Sequence, residues 1–163
     1  MSNSHLPLVA FVLAALASAA PARVAGPDAQ ACLSGKPSML VRVSGFKQGT
    51  GTVKVAVYAA DGYLAKRGKL RKVEVPVHST APIDICIAVP SAGEYAVAVH
   101  HDLNGNGNKD SNDGGGYSGN PKLSITSLRP QFNRTAIRVE SAPRPIAVTL
   151  QYRHGLSIVP VSG

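Results

Sequence analysis

Apolar and polar residues alternate along most of the chain after residue 38. The apolar positions fall in seven runs: Met39–Val43, Val53–Val57, Val73–Val77, Ile83–Ile87, Tyr95–Val99, Ile137–Val139 and Ile146–Tyr152. A period of two is typical of a strand with one buried face, and no convincing 3.6-residue period follows residue 38. Seven short strands spaced by roughly ten residues predict an all-β domain, a β-sandwich over residues 38–153.

The segments between and around these runs show less order. Residues 20–37 are rich in Ala, Pro, Gly and polar side chains, which predicts a flexible leader. Residues 114–129 show little period, and we expect an irregular connection there with at most a short strand at Lys122–Ile125. Residues 154–163 are interpreted as a C-terminal tail.

The N-terminus has the features of an export signal. Leu6–Ala17 is an uncharged apolar run followed by small residues, which predicts a signal peptide over residues 1–19. This run is too short to span a bilayer comfortably, and no later stretch is long or apolar enough. We therefore expect a periplasmic or secreted protein with no transmembrane segment after cleavage.

The chain has two cysteines, Cys32 and Cys86. In an oxidising compartment an even number favours a bridge, which here would clamp the leader onto the sheet. Such a bridge should stabilise the fold by roughly 3–4 kcal/mol through chain entropy. Two unpaired thiols are the alternative.

The segment Asp102–Asp113 reads D-L-N-G-N-G-N-K-D-S-N-D and has the spacing of a twelve-residue calcium loop. The candidate metal ligands are Asp102, Asn104, Asn106, Asn108, Asp110 and Asp113, at positions 1, 3, 5, 7, 9 and 12. Gly107 occupies position 6, where such a loop turns sharply. If Ca²⁺ binds, we expect a dissociation constant on the order of 10⁻⁴ to 10⁻³ M.

Two features of the loop fit a calcium site less well. Asp113 replaces the bidentate Glu of position 12, and no helices flank the loop. Asn-Gly and Asp-Gly also favour turns, so a metal-free polar turn is the main alternative, and another metal is a third. Against a simple turn, the loop is long, and three of the nine acidic residues fall within it.

The protein is basic, with 17 Lys and Arg against nine acids. Five of the basic residues form a cluster: Lys66, Arg67, Lys69, Arg71 and Lys72. The cluster could bind an anionic envelope polymer or carbohydrate, or serve as a solvated edge that resists aggregation. No nucleic acid is expected, because few aromatic residues interleave with the charges and no nucleic-acid motif is present. The sequence does not indicate the oligomeric state.

His100 and His101 precede Asp102, but adjacent strand residues point to opposite faces, so both cannot easily serve one cluster. We expect His101 to donate to the Asp102 carboxylate as a supporting group behind the metal; plain packing or solvent exposure is the alternative. The chain lacks a G-x-S-x-G elbow, and no phosphate-binding glycine loop precedes a helix. We therefore expect no catalytic residues.

Three stretches together resemble a known family. They are G-T-V-K-V-A-V-Y-A-A-D-G-Y-L, G-E-Y-A-V-A-V-H-H-D-L-N-G-N-G-N-K-D and R-P-Q-F-N-R-T-A-I-R-V. Their order resembles the exported bacterial domain-of-unknown-function family 2141 over residues 39–152, most specifically at Gly93–Asp110. The resemblance implies an exported, Greek-key-like β-sandwich of immunoglobulin or prealbumin type, and no particular activity. Gly116–Pro121 matches the family pattern only partly.

The sequence thus predicts an exported, non-catalytic module for binding, adhesion or envelope structure, with a weak Ca²⁺ loop. The alternative is a metal-free domain that binds anionic polymers through the basic cluster.

Overall fold

The computed structural model describes residues 23–161, and the predicted signal peptide lies outside this range. Over these residues the fold is all-β, as predicted, with ten strands, one short α-helix α1, Ala29–Leu33, and one 3₁₀ helix, Phe132–Arg134. The strands are β1 Ser38–Ser44, β2 Thr52–Tyr58, β3 Lys69–Pro76, β4 Ile83–Ala88, β5 Gly93–Asp102, β6 Gly114–Tyr117, β7 Ala136–Val139, β8 Arg144–Thr149, β9 Gln151–His154 and β10 Ser157–Pro160. Within the described residues no helix is long and apolar enough to cross a membrane.

The larger sheet has seven strands and is built around β5. Its order is β10-β9-β6-β5-β2-β3, and β7 also pairs with β5. β2 runs antiparallel to β5 over most of its length, with Thr52 opposite Asp102 and Ala56 opposite Ala98. On the other side of β5, β7 pairs with its first half and β6 with its second half. β5 is therefore held on both sides up to its last residues.

The smaller sheet has three strands in the order β4-β1-β8. β1 pairs antiparallel with β4 and parallel with β8. Alternate residues of both sheets point into one shared hydrophobic core, which includes Met39, Val41, Val55, Ile87 and Val97 at 0% exposure. Burial of these apolar faces is the main favourable term in folding.

Several elements differ from the sequence prediction. The single run predicted at residues 146–152 is two strands, β8 and β9, because the chain passes from the smaller to the larger sheet at buried Leu150. β6 contains Gly114–Gly116, which carries no alternation; a Cβ on Gly114 would lie 2.4 Å from the Tyr152 ring. Lys122–Ile125 is not a strand, and residues 157–160, expected in the tail, form β10 instead.

The expected flexible leader is anchored to the sheets between Ala25 and Cys32. Ala25 forms a parallel bridge with Ile85 of β4, and α1 follows it. Asp28 is 7% exposed and accepts hydrogen bonds from the Arg71 guanidinium and, at 3.0 Å, from the Ala88 amide. The Cys32–Cys86 disulfide, as predicted, joins α1 to β4. A carboxylate and a covalent bond therefore anchor this segment, which composition alone did not indicate.

Removing the disulfide should lower stability without changing the fold. The bridge closes a sequence separation of 54 residues, so the Cys32→Ala/Cys86→Ala variant should lose about 3–4 kcal/mol of unfolding free energy. Urea unfolding of the oxidised wild type and the variant measures this difference. An unchanged midpoint would contradict a role for the bridge in anchoring the N-terminal segment.

Asp28→Asn should destabilise the protein in a pH-dependent way. The hydrogen bond from Arg71 holds the pKa of Asp28 below its ordinary value, although burial acts in the opposite direction. The stabilisation is therefore complete above the unfolded pKa of about 3.9 and is lost as pH falls through the lower folded pKa.

We expect a loss of about 1–3 kcal/mol at neutral pH, because hydrogen bonds to a charged group are removed. The difference should shrink in urea titrations as the buffer is taken toward about pH 3. Asp61→Asn, at an exposed turn residue, is the control. A wild-type to Asp28→Asn difference that stays constant over this range would contradict the assignment.

Candidate functional site

The candidate site is the Asp102–Asp113 loop, which begins at the last residue of β5. The alternation of β5 sends Tyr95, Val97, Val99 and His101 into the core and places His100 and Asp102 on the outer face of the larger sheet. The loop thus begins on a rigid central strand and returns to the sheet at β6.

The carboxylate of Asp102 is almost fully buried, with a side chain that is 1% exposed. Its Oδ2 accepts a 2.7 Å hydrogen bond from the Lys54 ammonium and a 2.8 Å hydrogen bond from the Gly107 amide. The hydrogen bond from Lys54 lowers the pKa of Asp102, whereas burial raises it, and the net result lies below the ordinary value. Asp102 is therefore held as a buried carboxylate.

The other oxygen of Asp102 has no partner. Oδ1 is buried and makes no hydrogen bond, the only such side-chain atom in the described residues. A buried carboxylate oxygen without a donor is unfavourable by about 1–3 kcal/mol or more. This atom thus has unused capacity to accept a proton donor or to coordinate a cation.

The middle of the loop is curled by hydrogen bonds between its own residues. The Asn106 amide donates to Asn104 Oδ1 at 3.1 Å, and the Asn108 amide donates to Asn106 Oδ1 at 2.8 Å. The side-chain amides of Asn104 and Asn106 both donate to Asp110 Oδ2, each at 2.8 Å. The side chains of Asn104 and Asn106, at positions 3 and 5, therefore meet at the carboxylate of Asp110, at position 9.

Asp113 closes the base of the loop. Its Oδ1 accepts from the Leu103 amide at 3.1 Å, and its Oδ2 accepts from the Asp110 amide and from His100 Nε2, both at 2.9 Å. Burial raises the pKa of Asp113, but the three hydrogen bonds outweigh it and leave the pKa below its ordinary value. Asp113 therefore joins the two ends of the loop.

Two glycines make the loop geometry possible. Gly107 has a φ of 82°, the left-handed region that position 6 requires. Gly51, before β2, packs directly on the start of the loop, and a Cβ there would lie 2.0 Å from the Asp102 carbonyl oxygen. Thr50 adds a hydrogen bond to the Leu103 carbonyl at 3.3 Å.

The expected hydrogen bond from His101 to Asp102 is not formed. His101 is 0% exposed on the core side, where Nε2 donates to the Thr50 carbonyl at 2.8 Å and Nδ1 lies 2.7 Å from the Tyr152 hydroxyl. Because a carbonyl only accepts, the proton lies on Nε2, and Tyr152 donates to Nδ1. The pleat of β5 puts His101 and Asp102 on opposite faces, and it is His100 that supports a loop carboxylate, Asp113.

The predicted ligand residues lie in one loop but do not form a single acidic cluster. Asp102, Asp110 and Asp113 each have separate partners, and within residues 23–161 no three His, Cys, Asp or Glu side chains form a group that could hold a metal ion. A cation at this loop would therefore rely on Asn side-chain oxygens and backbone carbonyls as well as carboxylates.

The five residues of the basic cluster do not form one continuous surface. Arg71 turns toward Asp28 on the N-terminal segment, and Lys72 pairs with Glu74 at 2.6 Å. Lys66, Lys69 and Lys72 line a groove on the outer face of the larger sheet. Arg71 is therefore held in a structural ion pair and does not contribute to a surface that could bind an anionic polymer.

His100 and Asp113 have the geometry of a base held by a carboxylate. In the part of the chain that the structure describes, Asp113 is the one hydrogen-bond partner of the His100 ring, so no hydroxyl or thiol is held against it as a nucleophile would be. The hydrogen bond between His100 and Asp113 instead helps to close the base of the loop.

Lys54 and His100 are the site residues that sequence reasoning did not identify. Lys54 occupies an ordinary polar position of an alternating strand, and only the β2–β5 register brings it opposite His100 and beside Asp102. The alternation itself could have assigned His100 and Asp102 to one face, because they are two residues apart.

Comparison with known proteins identifies a family. Residues 41–147 match the model of DUF2141, described as an uncharacterized protein conserved in bacteria. No curated protein and no solved structure matches the chain. The matched segment runs from β1 into β8, covers well over half of the sequence and includes the whole Asp102–Asp113 loop. The chain therefore belongs to the DUF2141 family.

Proposed function

We propose that this protein is an exported, non-catalytic binding module whose Asp102–Asp113 loop binds one Ca²⁺ ion. In this proposal the two sheets form a Greek-key-like β-sandwich of immunoglobulin or prealbumin type. The module serves binding, adhesion or envelope structure, and calcium stiffens the loop at the end of β5. The disulfide supports export, because such bonds persist in oxidising compartments.

The observation that carries the proposal is the unpartnered Oδ1 of Asp102. It belongs to position 1 of the loop, is buried and makes no hydrogen bond of ordinary geometry in the described chain, although the nearby Gly105 amide contributes to the lowered pKa of Asp102. Hard cations such as Ca²⁺ coordinate oxygen, and carboxylates are their strongest protein ligands. A cation beside Oδ1 would satisfy an acceptor that the protein leaves unsatisfied.

The remaining candidate oxygens belong to the same loop, and Asn104 and Asn106 would have to give up the hydrogen bonds that their Oδ1 atoms accept from the Asn106 and Asn108 amides. Asn104 and Asn106 now turn their NH₂ groups toward Asp110, which they do because its carboxylate is the local negative charge. Rotation of each amide would present oxygen instead, and Asp110 and the Asn108 carbonyl would complete the set. Asp113 is engaged by His100 and two amides, so it supports the loop from outside the coordination sphere.

Lys54 makes the site weak. Its ammonium already supplies a positive charge to Asp102 at 2.7 Å, and calcium must share or displace that contact. Calcium binding therefore gains less electrostatic energy than it would at an unpaired carboxylate, consistent with a dissociation constant on the order of 10⁻⁴ to 10⁻³ M.

Calorimetric titration of Ca²⁺ into chelator-stripped protein should show one binding site. The Asp102→Asn variant should bind Ca²⁺ at least about tenfold more weakly, because it loses one charge interaction and about 1.4 kcal/mol of binding free energy corresponds to a tenfold change in affinity. Asp61→Asn removes an exposed carboxylate far along the chain and should bind like wild type. Equal heats for wild type and Asp102→Asn would contradict the site.

Lys54→Met should make the protein dependent on calcium. Without the ammonium, the Asp102 carboxylate is buried and uncompensated, and the unfolding free energy should fall by about 3–5 kcal/mol in the presence of chelator. Millimolar Ca²⁺ should restore part of this loss by binding the folded state.

The matched control is Lys72→Met, because Lys72 and Glu74 are both about half exposed and such a pair contributes roughly 0–1 kcal/mol. Thermal unfolding with chelator and with calcium measures both effects. A Lys54→Met variant whose stability does not respond to calcium would show that the lysine does not compete with a metal.

A further inference from the structure

A groove of about 960 Å³ runs along the outer face of the larger sheet, on the side away from the core. Its floor consists of small residues at neighbouring register positions, Ala56 opposite Ala98 on β2 and β5, and Gly115 on β6. No side chain from these positions fills the groove. A Cβ on Gly115 would meet only the Val99 carbonyl oxygen, at 3.9 Å.

Three anchored segments border this floor. Tyr58 in the lining packs edge to face with Tyr63, which packs on Phe132, and the lining residue Arg129 donates to the Leu64 carbonyl. The Asp102–Asp113 loop is the second segment. In the third, buried Gln151 holds the backbone of residues 121–123 through hydrogen bonds of 3.0 and 3.2 Å. The groove is therefore a built feature with anchored walls.

The wall formed by residues 123–128 is apolar and partly exposed. Leu123, Ile125 and Leu128 line it, and Ile125 and Leu128 are 40% and 49% exposed. Tyr117, also in the groove, donates its hydroxyl to the Leu128 carbonyl at 2.9 Å. Exposed apolar side chains grouped in a concave surface mark ligand sites more often than scattered ones do.

The rest of the rim is basic. Seven lining residues are Lys or Arg: Lys54, Lys66, Lys69, Lys72, Lys109, Arg129 and Arg153. Lys54 and Lys72 have carboxylate partners, whereas the other five form no ion pair within the described residues. Three lining residues are acidic: Glu74 and Asp113 are paired with Lys72 and His100, whereas Asp110 forms no ion pair within the described residues, so the unpaired lining charges are five basic and one acidic. An unneutralised positive charge therefore lies beside an apolar floor.

We propose that this groove binds an amphipathic organic anion, with its apolar body on the Ala56–Ala98–Gly115 floor and its carboxylate or phosphate held by the basic rim. The volume lies in the range of small-molecule sites, which favours a single ligand over a polymer. Charge complementarity favours a ligand with an anionic head group, and the apolar wall favours a ligand with a hydrocarbon chain. This function goes beyond calcium binding and uses Lys66 and Lys69 of the basic cluster, although the groove shares Lys54, Asp110 and Asp113 with the loop.

Four probes with the same chain and different heads test the proposal. Dodecanoate, dodecyl phosphate, dodecanol and dodecyltrimethylammonium are titrated below their micelle-forming concentrations into isotope-labelled protein, and amide shifts are followed by NMR. Either anion should shift the amides of Ala56, Ala98 and Gly115 and should bind about tenfold or more tightly than dodecanol, and the cation should not bind.

The relative affinity of the two anions tells a fatty-acid ligand from a phosphate-bearing lipid. Dodecanol binding as tightly as the anions would overturn the proposal, and so would shifts confined to residues outside the groove.

Two variants locate the binding. Gly115→Leu fills the floor where the backbone has room for a side chain, and it should abolish binding of both anions. Lys66→Ser/Lys69→Ser removes two rim charges and should weaken the anions several-fold while leaving the affinity of dodecanol unchanged.

Lys36→Ser/Arg144→Ser removes the same charge from exposed residues outside the groove and should bind the anions like wild type. Circular dichroism checks that each variant is folded, and if Gly115→Leu does not fold, the two charge variants still decide the question. Equal weakening by the rim and control variants would overturn the proposal, because net charge would then account for binding.

Discussion

The pleat of β5 is the constraint on which the rest of the structure depends. A strand sends successive side chains to opposite faces, so His101 enters the core and His100 and Asp102 face outward. Tyr152 and the Thr50 carbonyl hold His101, which fixes the register of the strand end. The same register places Asp102 beside Lys54 and sets Ala98 into the floor of the groove. The loop and the groove are thus two consequences of one strand.

The charges on the outer face of the larger sheet determine which ions it can bind. Asp102 is buried with a lysine as counter-ion, and the ammonium satisfies one carboxylate oxygen while the other has no partner. A buried carboxylate paired in this way is unfavourable unless a further donor or cation completes it. Five basic residues of the rim, in contrast, are exposed and form no ion pair in the described chain, which suits capture of an anion from solvent. One face therefore combines a candidate cation site and a candidate anion site.

The sequence predicted the strands and the loop, which depend on local residue patterns. It did not predict the contacts that depend on how the strands pair. Alternation of apolar and polar residues identified β1–β5, and the spacing of Asp and Asn identified the loop, because both signals repeat within a few residues. It could not identify β6, whose three glycines carry no pattern and whose position depends on close packing of Gly114 against Tyr152. It also missed the anchoring of Asp28 by Arg71 and the pairing of Asp102 with Lys54, which join residues 43 and 48 positions apart. Such contacts follow from tertiary pairing, which one sequence does not encode locally.

The central claim is that Asp102 of the loop binds calcium. The most direct test is a Ca²⁺ titration of isotope-labelled protein followed by NMR, reading the Gly107 amide, which donates to Asp102, and the Lys54 ammonium, which pairs with it. If Asp102 binds calcium, both groups should show saturable shifts with one dissociation constant, together with shifts of the Asn104 and Asn106 side-chain amides as they rotate. Shifts that do not saturate, or that leave Gly107 and Lys54 unmoved at millimolar calcium, would contradict it and leave the loop as a hydrogen-bonded polar turn.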